Sequence, residues 1–125
     1  MEIRNINSLL ENLVQDEKSD IQVLQLTNDA RSLYLACLKA GRKLPAHYHN
    51  HGSEVYQILD GNGIIELGQL ATGSVQWMVY QQVAAGDIFE VPEGAVHRLT
   101  GGTEDLRLIF FTAPSHLNND RTFIQ

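Results

Sequence analysis

Three histidines and one glutamate have the residue types and spacing of a metal site. His47 and His49 lie two residues apart, so on a β-strand both side chains project from the same face. Glu54 follows five residues later, and His97 comes much further along the chain. Imidazole and carboxylate are ligands that first-row divalent metals accept. The set predicts a site for one divalent transition metal (Fe, Mn, Ni, Co or Zn) with three nitrogen ligands and one oxygen ligand.

The spacing of these residues requires turns between short strands. Five is an odd number, so an unbroken strand would place Glu54 on the face opposite His49. Residues 50–53, Asn-His-Gly-Ser, favour a turn, which lets one strand end at His49 and the next open at Glu54. Residues 92–94, Pro-Glu-Gly, are a turn signature, so His97 also opens a strand. We therefore expect the four ligands near strand ends, at the mouth of a β-structure.

Both blocks of sequence resemble the two motifs of the cupin superfamily. The first motif is met, with every spacing in register, by Gly41, His47, His49, Glu54 and Gly61. The second is met by Gly86, Pro92, Gly94 and His97, and Gly101 stands where the family has a closing Asn. The resemblance covers residues 41–101. It implies an all-β fold, a double-stranded β-helix or jelly-roll barrel, and it assigns metal ligation to the three histidines and Glu54.

Three kinds of function are compatible with this resemblance. The first is a metal-dependent enzyme of dioxygenase, isomerase or decarboxylase type that acts on a small molecule. The second is a module that binds a metal or a small ligand without turnover. The third is a metal-free sugar-type isomerase in which a histidine acts as the base. Fe, Mn, Co and Ni suit six-coordinate chemistry with open positions, whereas Zn usually prefers four ligands.

Four further side chains are placed by parity or position. Tyr56 shares the parity of Glu54, so its phenol faces inward. It is a candidate catalytic proton donor, and the alternative, which the pattern favours slightly, is a residue that only lines the barrel. His51 shares the parity of His47 and is an alternative ligand or a rim residue. Arg98 alternates with a ligand and should point away. His116 lies in a polar tail after Pro114, and we expect it to be solvated.

The rest of the chain predicts one small β-domain. A capping box at Ser8 predicts a helix over residues 8–15 within an N-terminal helix and linker, residues 1–20. The barrel spans residues 21–114 and the C-terminal tail residues 115–125. Asp-Gly-Asn-Gly at residues 60–63 predicts a hairpin. Residues 68–74, which contain two glycines, are predicted to form a loop. Nine strands are expected over residues 21–26, 32–39, 46–49, 54–59, 64–67, 75–83, 88–91, 96–100 and 106–112. The first strand should end in a turn at Asn28 and Asp29.

The amino-acid composition argues against some classes of binding partner. Asp and Glu outnumber Lys and Arg by 15 to 9, and no basic cluster is present, which argues against a nucleic acid or an anionic membrane surface as partner. No run of 18 apolar residues predicts a spanning helix, and no secretory signal is visible. Cys37 stands alone in an apolar run, which predicts a buried thiol and a cytoplasmic location.

One strand predicts self-association. Residues 106–111, Leu-Arg-Leu-Ile-Phe-Phe, are apolar on both faces apart from Arg107. A strand that is apolar on both faces needs cover on each, so a homodimer is expected. Trp77, Phe89, Phe110 and Phe111 are assigned to the core or to this interface. The remaining expected partner is a small-molecule ligand or substrate.

Overall fold

Two antiparallel sheets make up the protein, which we describe from a computed structural model covering residues 1–27 and 32–124. Eleven strands are present in these residues. They are β1 Val14–Gln15, β2 Gln22–Gln25, β3 Leu33–Leu38, β4 Lys43–Tyr48, β5 Glu54–Asp60, β6 Asn62–Ala71, β7 Ser74–Ala84, β8 Ile88–Val91, β9 Val96–Gly101, β10 Leu106–Phe111 and β11 Thr122–Phe123. The first sheet has the order β1-β2-β3-β10-β5-β8 and the second β11-β4-β9-β6-β7. The predicted jelly-roll fold is confirmed.

Period-two alternation positions the core between the sheets. In β10, Leu106, Leu108 and Phe110 are buried, and in β5 Tyr56 and Ile58 are buried, while the residues between them are more exposed. Successive side chains of a strand point to opposite faces, so this pattern sets one face of each strand against the other sheet. The parity predicted for Tyr56 and Ile58 is confirmed. The same alternation brings Glu54, the first residue of β5, into the interior at 3% exposure.

All nine predicted strands are present, as β2 to β10, but two predicted connections are wrong. Residues 60–63 do not form a hairpin, because β5 and β6 lie in different sheets and Gly61 only turns the chain from one to the other. Residues 68–74 are not a long loop, since β6 runs to Ala71 and meets β7 through a two-residue turn at Thr72 and Gly73. The glycines were recognised as turn residues, but their local signal does not say which strands will pair. The predicted turn at Asn28 and Asp29 lies outside the described residues.

The N-terminal helix differs from the prediction. The α-helix α1 spans Ile6–Leu9 and continues as a 3-10 helix over Leu10–Asn12. Asn5, not Ser8, is the N-cap, and its side chain accepts a hydrogen bond from Asn7 N at 2.9 Å. A helix this short gains little from propagation, and Val14 pairs with Val23 in the sheet instead. None of the helices in the described residues is long and apolar enough to cross a membrane.

Gly101, the departure from the second motif, has a structural explanation. A Cβ at this position would lie 2.4 Å from the carbonyl oxygen of Lys39. The backbone of Gly101 therefore packs directly on the turn between β3 and β4, and its N–H donates to the carbonyl of Arg42 at 2.8 Å. Only glycine fits such a close backbone approach. The substitution thus affects how two strands are joined, and it leaves His97, four residues earlier, on β9.

Candidate metal centre

The two sheets bring the four predicted ligands into one buried cluster. His47 on β4 is directly opposite His97 on β9 in the strand register, and His49 follows the end of β4. Glu54 opens β5 and reaches the histidines from the other sheet. All four side chains are buried, with exposures of 2%, 0%, 4% and 3% in the order given. The nitrogens of His47, His49 and His97 lie within 4.8 Å of one another.

Hydrogen bonds to backbone carbonyls fix the tautomer of each histidine. The Nδ1 atom of His47 bonds the carbonyl of Pro45 at 2.7 Å, that of His49 bonds Asp120 at 2.5 Å, and that of His97 bonds Ala95 at 3.1 Å. A carbonyl oxygen only accepts, so Nδ1 must carry the proton in each ring. In a neutral ring, Nε2 then presents a lone pair. Metal-binding histidines are oriented in this way by the hydrogen bond of the other ring nitrogen.

Burial keeps at least one of these rings neutral. His47 is removed from water, and the neighbouring His97 adds to the cost of a positive charge, so the pKa of His47 is lowered well below its usual value. The neutral ring is also the form that binds a metal. The local environment therefore prepares His47 as a ligand at neutral pH.

Glu54 is held as a charged carboxylate. Burial alone would raise the pKa of Glu54, but hydrogen bonding, above all from His116, outweighs it and holds the pKa well below its usual value. Its Oε1 atom lies 3.4 Å from His49 Nε2 and 3.2 Å from His97 Nε2. Neither nitrogen has a hydrogen-bond partner, although both are fully buried. These short distances cannot be hydrogen bonds between neutral rings and the carboxylate, because Nε2 then has no proton to donate.

Such an arrangement fits a divalent cation. When both rings are neutral, their Nε2 lone pairs repel the Glu54 carboxylate oxygen unless a positive charge lies between them. Ligand atoms bound to one ion at about 2.1 Å lie roughly 3 Å apart at right angles, close to the 3.4 and 3.2 Å between Glu54 Oε1 and the two nitrogens. Three neutral imidazoles and one carboxylate would leave a divalent ion with a net charge near +1. The cluster can therefore bind a metal ion, and its donor set suits a first-row transition metal.

Comparison with known proteins places this architecture in a family. Residues 34–112, more than half of the 125 residues, match the sequence profile of the cupin domain. The chain is a cupin. The predicted family is therefore confirmed. No curated protein matches this cupin by sequence.

Solved structures share the fold at low sequence identity. A double-stranded β-helix protein from Klebsiella pneumoniae is 18% identical with a TM-score of 0.70, and the match covers 100% of this cupin and 98% of that chain. The cupin domain of Cnp3 from Schizosaccharomyces pombe is 19% identical with a TM-score of 0.72, covering 94% and 72%. Oxalate oxidase is 18% identical with a TM-score of 0.68, covering 89% of this cupin. The match spans only 58% of the oxalate oxidase chain. At these identities the likeness concerns the fold.

His116 belongs to the centre, and the expectation of a solvated residue was wrong. Its ring is fully buried and stacks on that of His49, with 4.0 Å between centroids and an interplanar angle of 2°. Nδ1 lies 3.2 Å from Glu54 Oε2 and also contacts Thr112 Oγ1, and Nε2 contacts the carbonyl oxygen of His51. Burial opposes protonation, but the bonds to Glu54 and His51 outweigh it, so the pKa of His116 is raised. A ring that donates from both nitrogens is an imidazolium.

Other residues of the segment after Pro114 contact the barrel near the centre. Asp120 accepts hydrogen bonds from the backbone of Asn50 at 2.7 Å and of His51 at 3.0 Å. Arg121 makes a bidentate pair with Asp16 at 2.9 and 3.0 Å. The ring of Phe123 packs at 5.3 Å from that of His47. Sequence reasoning missed these contacts because each partner lies more than 60 residues away, and the only signal was the apolar Leu117, Phe123 and Ile124 in an otherwise polar tail.

Tyr56 places its phenol on the carboxylate ligand. Its hydroxyl donates to Glu54 Oε1 at 3.1 Å, and the ring is buried. Burial, reinforced by the negative charge of Glu54, raises the pKa of Tyr56 well above its usual value. The phenol therefore stays protonated at neutral pH, as a proton donor must. Its catalytic role is still a prediction.

Two other predicted orientations can be compared with the structure. The side chain of His51 is exposed. In the described residues the potential metal ligands form two overlapping groups, one of His47, His49 and His97 and one of His49, Glu54 and His116, and His51 belongs to neither. Its backbone N–H donates to Asp120, and its carbonyl oxygen contacts His116 Nε2. Arg98 points away from the centre, as predicted, and pairs with Glu66 at 2.7 and 2.8 Å on the outer face of the sheet.

The cavity at the centre is small. Its volume is about 10 Å³, and its lining includes His47, His49, Glu54 and Tyr56, together with Leu117 and Arg121 from the C-terminal segment. A single water needs a cavity of roughly 10–15 Å³. The cavity thus has room for one ion or water, and a larger molecule can reach the centre only if part of the lining moves.

Proposed function

We propose that this cupin binds one divalent transition-metal ion through His47, His49, Glu54 and His97. The observation that carries the proposal is the pair of buried, unpartnered Nε2 atoms of His49 and His97, which face the Glu54 carboxylate at 3.4 and 3.2 Å. Unsatisfied buried polar atoms are rare and costly, and a metal ion satisfies both at once. This favours the metal-dependent functions over a metal-free isomerase.

We further propose that the metal-bound protein acts on a small molecule as an enzyme of dioxygenase, isomerase or decarboxylase type. When bound, the ion would supply Lewis acidity or a place to activate O₂. The Tyr56 hydroxyl oxygen lies 3.1 Å from Glu54 Oε1, so its proton would be available to a substrate atom bound beside the carboxylate. Leu117 and Arg121 would have to move to admit the substrate, since they line the small cavity. A binding module without turnover is the alternative.

Elemental analysis of untagged, freshly purified protein tests the metal proposal. We expect close to one equivalent of Fe, Mn, Co, Ni or Zn per chain, and rebinding of the same ion after chelation. His97→Ala should lower the occupancy at least tenfold while the β-structure is retained by circular dichroism. His51→Ala is the matched control, because its exposed side chain lies outside the centre, and its metal content should equal that of the wild type. Equal metal content in both variants would show that the ligand assignment is wrong.

Turnover separates the enzyme from the binding module. The metal-loaded protein is incubated with a panel of enols, catechols and keto acids. Oxalate and glycolate are added because one protein of similar fold is an oxalate oxidase whose substrate analogue is glycolate. Tyr56→Phe removes the phenol proton and keeps the ring. Turnover that falls in this variant at unchanged metal content supports Tyr56 as a catalytic residue. Ligand binding without any turnover across the panel would favour the binding module.

A further inference from the structure

A third buried nitrogen beside the metal centre has no hydrogen-bond partner. In the part of the chain that the structure describes, three buried side-chain nitrogens lack a partner, namely Nε2 of His49, Nε2 of His97 and Nε of Arg121. The proposed metal ion accounts for the two histidine nitrogens. It does not account for Arg121, because a guanidinium carries only N–H donors and has no lone pair to bind a cation. Buried polar atoms without a partner are rare, so the Nε–H of Arg121 requires a different ligand.

Arg121 lines the cavity of the metal centre together with His49 and Glu54, and Asp16 fixes it there. Its side chain is only 2% exposed. Nη1 and Nη2 donate to the Asp16 carboxylate at 3.0 and 2.9 Å, and the ring of Phe123 lies 5.1 Å from the guanidinium carbon. Asp16 thus engages the two terminal nitrogens and leaves the Nε–H without a partner. The donor is ordered before a ligand arrives, which reduces the entropy that binding costs.

The electrostatics of the cavity favour an anionic acceptor for this N–H. Asp16 balances the charge of Arg121, whereas a divalent ion bound by three neutral imidazoles and Glu54 would keep a net charge near +1. In a buried site with little water to screen it, that positive charge attracts an anion. A water molecule would satisfy the Nε–H but would leave the charge unbalanced. A hydrogen bond to an anion is also roughly twice as strong as one between neutral groups.

We propose that Arg121 selects small carboxylate substrates, with its Nε–H donating to one carboxylate oxygen while the other oxygen faces the metal. This assignment rests on the proposed metal-dependent function. One cavity of about 10 Å³ is lined both by Arg121 and by the metal ligands, so a single small group can contact both. Entry of the substrate requires the lining to shift, and the pair with Asp16 limits how far Arg121 can move, so its N–H stays at the cavity.

Calorimetric titration of the metal-loaded protein with formate and formamide tests the substrate class. Formate is the smallest carboxylate, and formamide has nearly the same shape without the charge. We expect formate to bind and formamide to bind at least about tenfold more weakly. A metal-loaded wild type that does not bind formate, or that binds formamide equally well, would overturn the proposal.

Arg121→Lys tests the Nε–H itself. In lysine a methylene group occupies the position of Nε along the side chain, while the ammonium group can still pair with Asp16. We expect the dissociation constant of formate to rise about ten- to hundredfold at unchanged metal content. Arg98→Lys is the matched control, because Arg98 pairs with Glu66 on the outer face of the sheet. Its formate affinity should equal that of the wild type, and equal affinity in both variants would show that Arg121 is not the carboxylate donor.

Asp16→Asn distinguishes a carboxylate donor from a residue that only anchors the C-terminal segment. This variant keeps the Nε–H and removes the charge that balances Arg121, so formate should bind at least as tightly as to the wild type. If Arg121 only anchors the segment, Asp16→Asn and Arg121→Lys should weaken formate binding alike, which would refute the proposal.

Metal content measured on the same samples separates this proposal from the proposed function. A wild type that holds no metal would refute the metal site. Formate that binds such a protein, and binds Arg121→Lys more weakly, would still support Arg121 as the carboxylate donor. A metal-loaded protein in which Arg121→Lys leaves the formate affinity unchanged would refute the role of Arg121 alone.

Discussion

Asp120→Asn tests whether the C-terminal segment holds the metal ligands in place. The carboxylate of Asp120 accepts the backbone N–H groups of Asn50 at 2.7 Å and His51 at 3.0 Å, and its own carbonyl accepts from His49 Nδ1 at 2.5 Å. The side chain is nearly buried, at 7% exposure. Burial would raise the pKa of Asp120, but these N–H donors outweigh it and the pKa is lowered. The substitution keeps the shape and removes the charge and one acceptor.

The size of the effect follows from the two hydrogen bonds. A hydrogen bond to a charged group contributes about 1.5–3 kcal/mol, and the amide of Asn can replace only one of them. The other backbone N–H then faces an NH₂ group, which is also a donor, and is left unsatisfied. We expect a loss of about 2–3 kcal/mol in the free energy of unfolding, which for a chain of this length lowers Tm by about 8 °C.

Urea unfolding of the metal-free protein measures this loss, and a metal titration measures its consequence. Because the backbone of Asp120 fixes the tautomer of His49, we expect the metal affinity to fall about 10–100-fold. Asp87→Asn is the matched control. Asp87 accepts one hydrogen bond, from Ala84 N at 2.8 Å, in an exposed turn away from the centre, so its loss should stay near 0.5 kcal/mol.

Comparison of Asp120→Asn with Asp87→Asn shows whether docking of the C-terminal segment positions the metal ligands. If Asp120→Asn unfolds at the same urea concentration as Asp87→Asn, then the segment after residue 113 contributes no more than an exposed turn cap. If stability falls but the metal affinity does not, then the segment stabilises the fold without positioning His49. Either outcome would refute the link between docking of the segment and the metal centre.

Backbone strain and pH give two further expectations. Gly61 has φ +83°, and a Cβ there would lie 1.9 Å from a backbone oxygen, so Gly61→Ala should lower the free energy of unfolding by more than about 3 kcal/mol. Gly73 has φ +86° but open space around it, so Gly73→Ala should lower the same free energy by only about 1 kcal/mol. Similar urea midpoints for the two variants would contradict this expectation. Without metal, stability should fall as pH drops below 6.5 and then 4.5, because His47 and Glu54 have lowered pKa values and bind protons more readily when unfolded. His116, with a raised pKa, contributes fully below pH 6.5 and loses its contribution as pH rises through its folded pKa. A midpoint that does not change between pH 6.5 and 4 would contradict the expectation for the first two residues.

Patterns among neighbouring residues predicted much of the fold. Apolar runs divided by turn residues gave all nine strands from β2 to β10, because a strand signal depends only on neighbours in the sequence. Alternation also predicted that Tyr56 and Ile58 share the inward face of Glu54. β1 and β11 were missed, since two-residue strands have no periodicity and exist only through their partners.

The pairing of the strands could not be predicted from apolar runs and turn residues. Gly61 and Gly73 carry similar turn signals and similar positive φ angles, yet only Gly73 lies in a hairpin. At Gly61 the chain passes from the sheet of β5 to the sheet of β6, because Asp60 pairs with Arg107 and Gly63 pairs with Gly101. The choice depends on partners some 40 residues away, which the local sequence does not contain.

The metal centre shows the same division. Residue type and spacing by themselves determined that His47, His49 and Glu54 would face one interior point, since parity and a turn are local properties. Only the tertiary structure decided that His116 would stack on His49 and bond Glu54, and that Asp120 would fix the ring of His49. Those contacts join residues 62 and 71 positions apart. They form because burying Leu117 and Phe123 against the barrel brings the C-terminal segment to the ligands, and no pattern within that segment encodes where it will dock.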